Sequence, residues 1–403
     1  MEINSEIGKL KQVILHRPEL SLERLTPENC RDFLFDDVLW IKKAAEEHQY
    51  FEQVLTDHGV KVYLLRQLLI ETLENKTARK WLMQKTLNHL YHDSSLMHEL
   101  SDYFSSMSAT QLATHLIGGI TWEECELKAK GLVSQTLFPD DFILAPLPNH
   151  LFTRDTSCWI GNGVSINPMH WPARQRETLN LAVIYKFHPL FKKASFETWY
   201  DGSDMEAHLP TVEGGDVLVL SKDCIAIGVS ERSTPEAIET LAKRLFAKED
   251  KQQIIAIEIP KERASMHLDT VMTMLDDHSF CIAFPCETIR AWNLRPNDDG
   301  SLNVRKEKNV FNAIGKAIGR EKLRLITLGG DDFTEKREQW SDASNLLAIS
   351  PGVVIGYERN VYTNKKLFNE GFDVISIPGS ELGRGRGGAR CMSCPIEREP
   401  FLF

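Results

Sequence analysis

Long apolar runs are missing from this 403-residue chain. None approaches the roughly 18 consecutive apolar residues of a membrane-crossing helix, and the opening MEINSEIGKLKQ has no apolar stretch of the kind that directs export. Positive charge is also in deficit, with 47 Lys and Arg against 57 Asp and Glu and a formal net charge of -10. Such a chain suits a polyphosphate partner poorly, so neither nucleic acid nor membrane is an expected partner. Small cations suit it better, because acidic clefts concentrate them. Cysteine is sparse, with eight residues scattered at 30, 125, 158, 224, 281, 286, 391 and 394. They read as reduced thiols, which points to a cytoplasmic location, and most should be small buried apolar residues. Low-complexity segments and evident flexible linkers are missing too.

What is present is a weak internal repeat. From Asp216 the chain reads strand-like VLVL, turn SKD, strand-like CIAIG, then Glu231-Arg232. A helix follows, with Thr234 as N-cap and Pro235 at its first position, and then the strand IIAIEI. From Asp342 the same order runs LLAI, SPG, VVIGY, Glu358-Arg359, a helix stopped by Gly371, and DVISI. A third copy starts at Asp155 and a fourth at Asp269, whose helix KNVFNAIGKAIG comes late. QVILHRP, a helix ending near His58, and VKVYLL make a fifth. Each unit is strand-turn-strand-helix-strand, and a ring of such units would close its own edges.

Acidic residues stand just before the first strand of four units, and arginines just after the second strand of three. In a hairpin those two positions lie at one end. The repeat phase therefore predicts that Asp155, Asp216, Asp269, Arg174 and Arg232 gather at one mouth. Residues 69–141 break the pattern. They show helix signals and no strand signals, including capping boxes at Ser108–Gln111 and Thr121–Glu124 and a Gly118-Gly119 stop. The division expected is 1–68 as a first unit, 69–141 as an inserted helical bundle, and 142–403 as the remaining units with a cysteine loop.

Four segments could carry chemistry: PNHLFTRD (148–155), EGGD (213–216), MHLD (266–269) and GRGRGGARCMSC (383–394). Cys391 and Cys394 could be a redox couple or half a zinc site, although the nearest second pair, Cys281 and Cys286, flanks a predicted strand. A nucleophilic cysteine fits a glycine-rich loop better, with Arg384, Arg386 and Arg390 favouring a thiolate. His267 lies two residues before Asp269, so on an extended segment both face one side. A lone histidine is usually structural, but a thiol nucleophile needs a proton shuttle and an orienting carboxylate. Glu213 could orient that imidazole, or EGGD could simply be a tight turn entering a strand. Asp155 could be an exposed ion pair, and the segment after Arg174 an ordinary helix start. Several carboxylates converging would repel one another, so a cationic ligand is implied.

These motifs resemble those of arginine deiminases, within the guanidine-modifying superfamily. The likeness runs through LTPENCRDFLFDDV, LIGGI, NPMHWPARQRETL, EGGDVLVL, GVSERS, MHLDTV, REQW and ELGRGRGG…CMSCPI. It implies a pseudo-fivefold α/β propeller with an inserted helical bundle, no cofactor and no metal, and a homo-oligomer, dimer or tetramer. It implies hydrolysis of free L-arginine to L-citrulline and ammonia through a covalent amidino-cysteine intermediate. By the same resemblance Cys391 matches the nucleophile, His267 the general acid and base, and Glu213 its carboxylate partner. Asp155 and Asp269 match the pair that grips the guanidinium. Arg174 and Arg232 match the arginines holding the α-carboxylate, and Arg386 a mobile-loop arginine. Asn149 and Phe152 match contacts to the α-amino end and the aliphatic stem. In one departure, Ala389-Arg390 stands where many members have Gly-His, and an arginine cannot titrate near neutral pH. Relatives that act on methylated arginine or transfer the amidino group share the same core, and an arginine-binding sensor would share the site without turnover. Cys391 has arginines beside it in sequence, yet the site's carboxylates are expected to prevail and keep it a thiol until a guanidinium arrives.

Overall fold

The computed structural model describes residues 1–403 except 92–94, 129, 205–207, 249–251, 284–288 and 402–403. Cys286 therefore lies outside the described residues. The repeat is visible in the sheets. Ser157–Ile160 pairs antiparallel with Gly163–Ile166, which pairs parallel with Glu197–Asp201. Parallel pairing needs a crossover, and the helix Pro172–Phe187 supplies it. Val217–Val219, Cys224–Val229 and Gln253–Glu258 repeat the pattern around the helix Pro235–Lys248. So do Met272–Met274, Ser279–Ile282 and Arg324–Thr327 around Val310–Ala317. Leu347–Ser350, Val353–Tyr357 and Asp373–Ile377 form a further copy around Val361–Asn369.

The remaining copy draws on both ends of the chain. Leu10–Leu15 pairs parallel with Lys61–Leu64 across the helix Ile41–Asp57, and antiparallel with Cys394–Arg398. The late helix of the Asp269 unit also has a cause. A hairpin, Ala291–Pro296 with Leu302–Glu307, intervenes and pairs with Gln253–Glu258, widening the neighbouring sheet to five strands.

The segment that breaks the repeat is mostly helical, with Leu65–Leu73, Lys76–Tyr91, Ser95–Ser106, Ala109–Gly118 and Leu132–Thr136. Leu69, Leu82, Leu112 and Leu116 share one buried core with Val183 and Ile184 of the Pro172–Phe187 helix. Ser108 and Gln111 form the capping box, and the helix stops at Gly118 before Gly119, at φ 80°. Thr121–Glu124 caps no helix. The Thr121 N–H does donate to Glu124 (2.8 Å). However, the next amides, of Trp122 and Glu123, donate to the carbonyls of Asp141 and Pro139. Ile120–Thr121 itself pairs with Phe142–Leu144 as a short ribbon, too short for period-two alternation to register in sequence. Among the described residues no helix is long and apolar enough to cross a membrane.

Candidate active site

The site's side chains stand mostly at one position of the repeat, the residues just before a unit's first strand. Asp155 lies in a helical turn, Thr153–Thr156, that runs into Ser157–Ile160. Glu213 precedes the turn Gly214–Asp216 and the strand Val217–Val219. His267 precedes the turn Leu268–Thr270, which holds Asp269 and leads into Met272–Met274. Cys391 sits three residues before Cys394–Arg398. Arg174 and Arg232 follow second strands, as the repeat phase predicts. All are buried, none more than 4% exposed.

The Cys391 sulfur lies 3.6 Å from Asp269 Oδ2 and 3.8 Å from Oδ1. The backbone at Cys391 is pinned on both sides. Its N–H donates to Asn345 Oδ1 (3.0 Å), and its carbonyl accepts from the Arg154 N–H (3.2 Å). Burial pushes the thiol well above its ordinary range, Asp269, Asp155 and Asp342 add to that, and Arg390 opposes it. The loop arginines favour a thiolate less than their sequence positions suggest, because burial and the carboxylates outweigh them. Arg384 pairs with Asp37 at the surface. Arg390 turns inward and donates to Asp269 (2.7 Å), Glu6 (3.1 Å) and the Val217 carbonyl (2.8 Å). The residue in the Gly-His position is therefore a buried brace for Asp269. Cys391 and Cys394 carry free thiols, and the Cys394 sulfur turns away to the Ser157 carbonyl (3.3 Å).

His267 Nε2–H donates to Glu213 Oε2 (2.8 Å), while Nδ1 faces Asp155 Oδ1 at 3.6 Å. Burial opposes charge on this ring. Asp155, the bond to Glu213, and Asp216 outweigh it and raise the imidazole to about 9. At neutral pH it is an imidazolium. Burial likewise opposes the Glu213 charge, but Arg232 and His267 hold that carboxyl far below its ordinary range. The Asp269 carboxyl is raised by burial, against the pull of Arg390. His267 and Asp269 do not share an extended segment. His267 is extended (φ -138°, ψ 160°), but Leu268–Thr270 is a turn, and that turn delivers Asp269 to the sulfur.

The EGGD glycines answer a need for space. Neither Gly214 nor Gly215 has positive φ. A Cβ on Gly215 would sit 2.6 Å from His267 Nδ1 and 2.9 Å from Asp155 Oδ1. Gly387 behaves likewise on the cysteine loop, where a Cβ would meet Phe152 Cε1 at 2.4 Å and Cys391 Cβ at 3.1 Å. Backbone thus forms part of the site wall.

Arg174 donates to Asp155 Oδ2 (2.7 Å), to Glu177 (3.0 Å) and to the Asn149 carbonyl (3.2 Å). Arg232 Nη1 donates to Glu213 Oε2 (3.3 Å), and its Nε has no hydrogen-bond partner among the described residues. Asn149 Nδ2 donates to the Phe33 carbonyl (2.8 Å), and Phe152 stacks on Phe35 with centroids 6.4 Å apart. Arg386 has left-handed backbone (φ 64°), and its guanidinium lies 3.5 Å over the Trp340 ring. Asp155, Glu213 and His267 present ligand atoms within 4.8 Å of one another. A metal ion there would face Arg174 and Arg232, which already neutralise the two carboxylates.

Three residues absent from the motif reading belong to this constellation. Asn345 links Cys391 to Asp269, whose carbonyl accepts its Nδ2 (3.0 Å). Glu177 fixes Arg174. Asp342 is buried with both carboxyl oxygens unpartnered among the described residues, and burial raises it to about 7. Asp342 and Asn345 stand before the strand LLAI, so the repeat phase could have found them.

The arginine deiminase family model matches residues 31–398. Among solved structures, the fold resembles SxtG, an amidinotransferase from Microseira wollei, with TM-score 0.55, 16% identity and coverage of 100% of this chain and 98% of that one. It also resembles the N-terminal domain of ArgZ, solved with a covalently bound reaction intermediate (TM-score 0.54, 15% identity, 97% and 99% covered). Unliganded AgrE matches over 96% of this chain at TM-score 0.54 and 14% identity, and the chain spans 40% of AgrE's length. At these identities the structural likeness concerns the mixed α/β fold alone, whereas the family match covers most of the sequence. The chain belongs to the arginine deiminase family.

Proposed function

We propose that the chain hydrolyses free L-arginine to L-citrulline and ammonia, with Cys391 as nucleophile. One observation carries this reading. The Cys391 thiol, Asp155 Oδ1 and His267 Nδ1 are buried together, and Asp155 Oδ1 and His267 Nδ1 lack hydrogen-bond partners among the described residues. A planar guanidinium is a set of donors that would satisfy Asp155 and Asp269 while placing its carbon beside sulfur.

In the proposed reaction, guanidinium binding offsets the burial and the carboxylates that hold the thiol protonated, and the thiol proton passes to solvent water. The thiolate adds to the guanidinium carbon, and the His267 imidazolium protonates the departing nitrogen, which leaves as ammonia. An amidino-thioether remains on Cys391. His267, now neutral, takes a proton from water, and hydroxide adds to the same carbon. Collapse breaks the carbon–sulfur bond, the hydroxyl proton passes to the departing sulfur to restore the thiol, and the ureido group of citrulline is left. Glu213 keeps the imidazole oriented throughout.

Arg232, with its unpartnered Nε, is the better placed of the two arginines for a direct bond to the α-carboxylate. Arg174 would reach it by releasing the Asn149 carbonyl. Asn149 and Phe152 would line the path of the chain, and Arg386 would sit at its mouth. The test is arginine supplied to the purified protein, with citrulline and ammonia both quantified. Equal amounts of the two are expected. Ornithine together with an amidinated amine would overturn hydrolysis in favour of group transfer, and tight arginine binding without product would make the chain a sensor.

We further propose that the five units close as a pseudo-fivefold propeller, with residues 69–141 as an inserted helical bundle. The common strand pattern supports this, as does the seating of Cys394–Arg398 against Leu10–Leu15, which joins distant parts of the chain in one sheet. A reducing, cytoplasmic setting accords with the free thiols of Cys391 and Cys394.

A further inference from the structure

Four aspartates occupy the same position in their units, and one of them, Asp216, neither touches the thiol nor faces the place proposed for the guanidinium. It is buried and fully used. Oδ1 accepts the Leu268 N–H (2.9 Å), and Oδ2 accepts the hydroxyls of Ser230 (2.7 Å) and Ser233 (2.6 Å). Those serines pass the connection on. Ser230 Oγ accepts the backbone N–H of Arg232 (3.0 Å) and of Ser233 (3.0 Å). Ser233 Oγ accepts the Glu213 N–H (3.0 Å). Leu268 is the residue between His267 and Asp269. The chain is also shaped to admit this carboxylate, since a Cβ on Gly228 would lie 2.2 Å from Asp216 Oδ1.

Two loops from different units are therefore tied to one carboxylate. One presents His267 and Asp269, at the end where the guanidinium would react. The other presents Arg232, at the end where the α-carboxylate would be held. Resting on the functional reading above, the geometry points to Asp216 as a positioning residue that sets the distance between these two ends, and so selects substrates by the length of the chain between guanidinium and carboxylate. A buried carboxylate accepting charge-assisted bonds suits this task, because such bonds are short and directional. Its charge has a second effect. Asp155, Glu213 and Asp216 all face His267 and favour its imidazolium.

The experiment compares arginine with homoarginine, one methylene longer, in wild type, Ser230→Ala and Asp216→Asn. Ser230→Ala removes the link to Arg232 and leaves the Leu268 bond. It should lower the arginine-to-homoarginine ratio of kcat/KM by about tenfold, the scale of one lost charge-assisted bond. 2-Chloroacetamidine carries the reactive end alone, so its rate of Cys391 modification should be nearly unchanged in that variant. Asp216→Asn should lower the same ratio and also shift the alkaline limb of the arginine pH profile to lower pH, because the imidazolium loses a neighbouring charge. Ser230→Ala should leave that limb in place. An unchanged ratio in Ser230→Ala, or a parallel fall in chloroacetamidine reactivity, would overturn the inference and reduce Asp216 to a fold-stabilising group. Absence of citrulline from wild type would overturn the functional reading and this inference with it. Citrulline from wild type with an unchanged ratio overturns this inference alone.

Discussion

Glu213→Gln changes a single oxygen to an amide nitrogen at the base of the site, and its effect on pH dependence can be worked out from the structure. His267, raised from 6.5 to about 9, prefers the imidazolium by roughly 3 kcal/mol. Burial works against that preference, and Asp155, the Glu213 hydrogen bond and Asp216 supply it. Glutamine can still accept from Nε2–H at 2.8 Å, but without the charge. A hydrogen bond to a charged group contributes about 1.5–3 kcal/mol, which at 1.36 kcal/mol per pKa unit corresponds to one to two pH units. In the proposed reaction the acid form of His267 protonates the leaving nitrogen, so activity should fall as pH rises through its pKa. Wild type should therefore keep its kcat/KM for arginine up to about pH 9, whereas in Glu213→Gln the limb should lie one to two units lower. The assay is initial citrulline formation at subsaturating arginine across pH 5–10. The same protonation bears on stability. A raised imidazole contributes stability that is fully present below 6.5 and is lost as pH rises through about 9, so Tm should decline over that window in wild type and at lower pH in the variant. A limb that stays near 9 in Glu213→Gln, or its absence in wild type, would refute the assignment of His267 as the acid.

Two further outcomes follow from the ends of the site. Arg232→Lys removes the guanidinium fork facing the proposed carboxylate position, and lysine cannot replace it bidentately. KM for arginine should rise by an amount equivalent to about 1.5–3 kcal/mol. Agmatine, which lacks the carboxylate, should be a poor substrate of wild type, and agmatine turnover equal to that of arginine would contradict the role. Alkylation of Cys391 by neutral iodoacetamide, read on the modified peptide, should titrate above the ordinary thiol value of about 8.5. A haloacetamidine should react much faster at pH 7, and Asp269→Asn should shrink that advantage. A free-enzyme value near 6 would show that Arg390 outweighs burial and the carboxylates.

What the sequence made legible was local or periodic. The Thr234 hydroxyl accepts the Ala237 N–H at the head of its helix, and Gly371, at φ 93°, lies just past the end of another. Each rests on chemistry within a few residues. The clustering of Asp155, Asp269 and Arg174 was legible from repeat phase alone, because a hairpin fixes which residues share an end. Partners set by distant chain were not legible. CPIER contains a proline and alternating charge and has no strand signature, yet it pairs with Leu10–Leu15. The Ala291–Glu307 hairpin has its partner in another unit. Arg390 looked like a loop charge near Cys391, and its inward turn rests on acceptors far away in the sequence: Asp269, the Val217 carbonyl and the buried Glu6, 384 positions away. Asn345 carries no charge to mark it, and its role depends on lying beside both Cys391 and Asp269.

In the proposed reaction Cys391 forms a covalent bond to the guanidinium carbon of arginine. Quenching the protein in acid during arginine turnover and weighing its peptides tests that bond directly. The Cys391 peptide should gain the mass of arginine less ammonia, the adduct should disappear as substrate is exhausted, and Cys391→Ala should form neither adduct nor citrulline while Cys394→Ser forms both. Citrulline production that survives Cys391→Ala, or an adduct on Cys394 instead, would contradict the account.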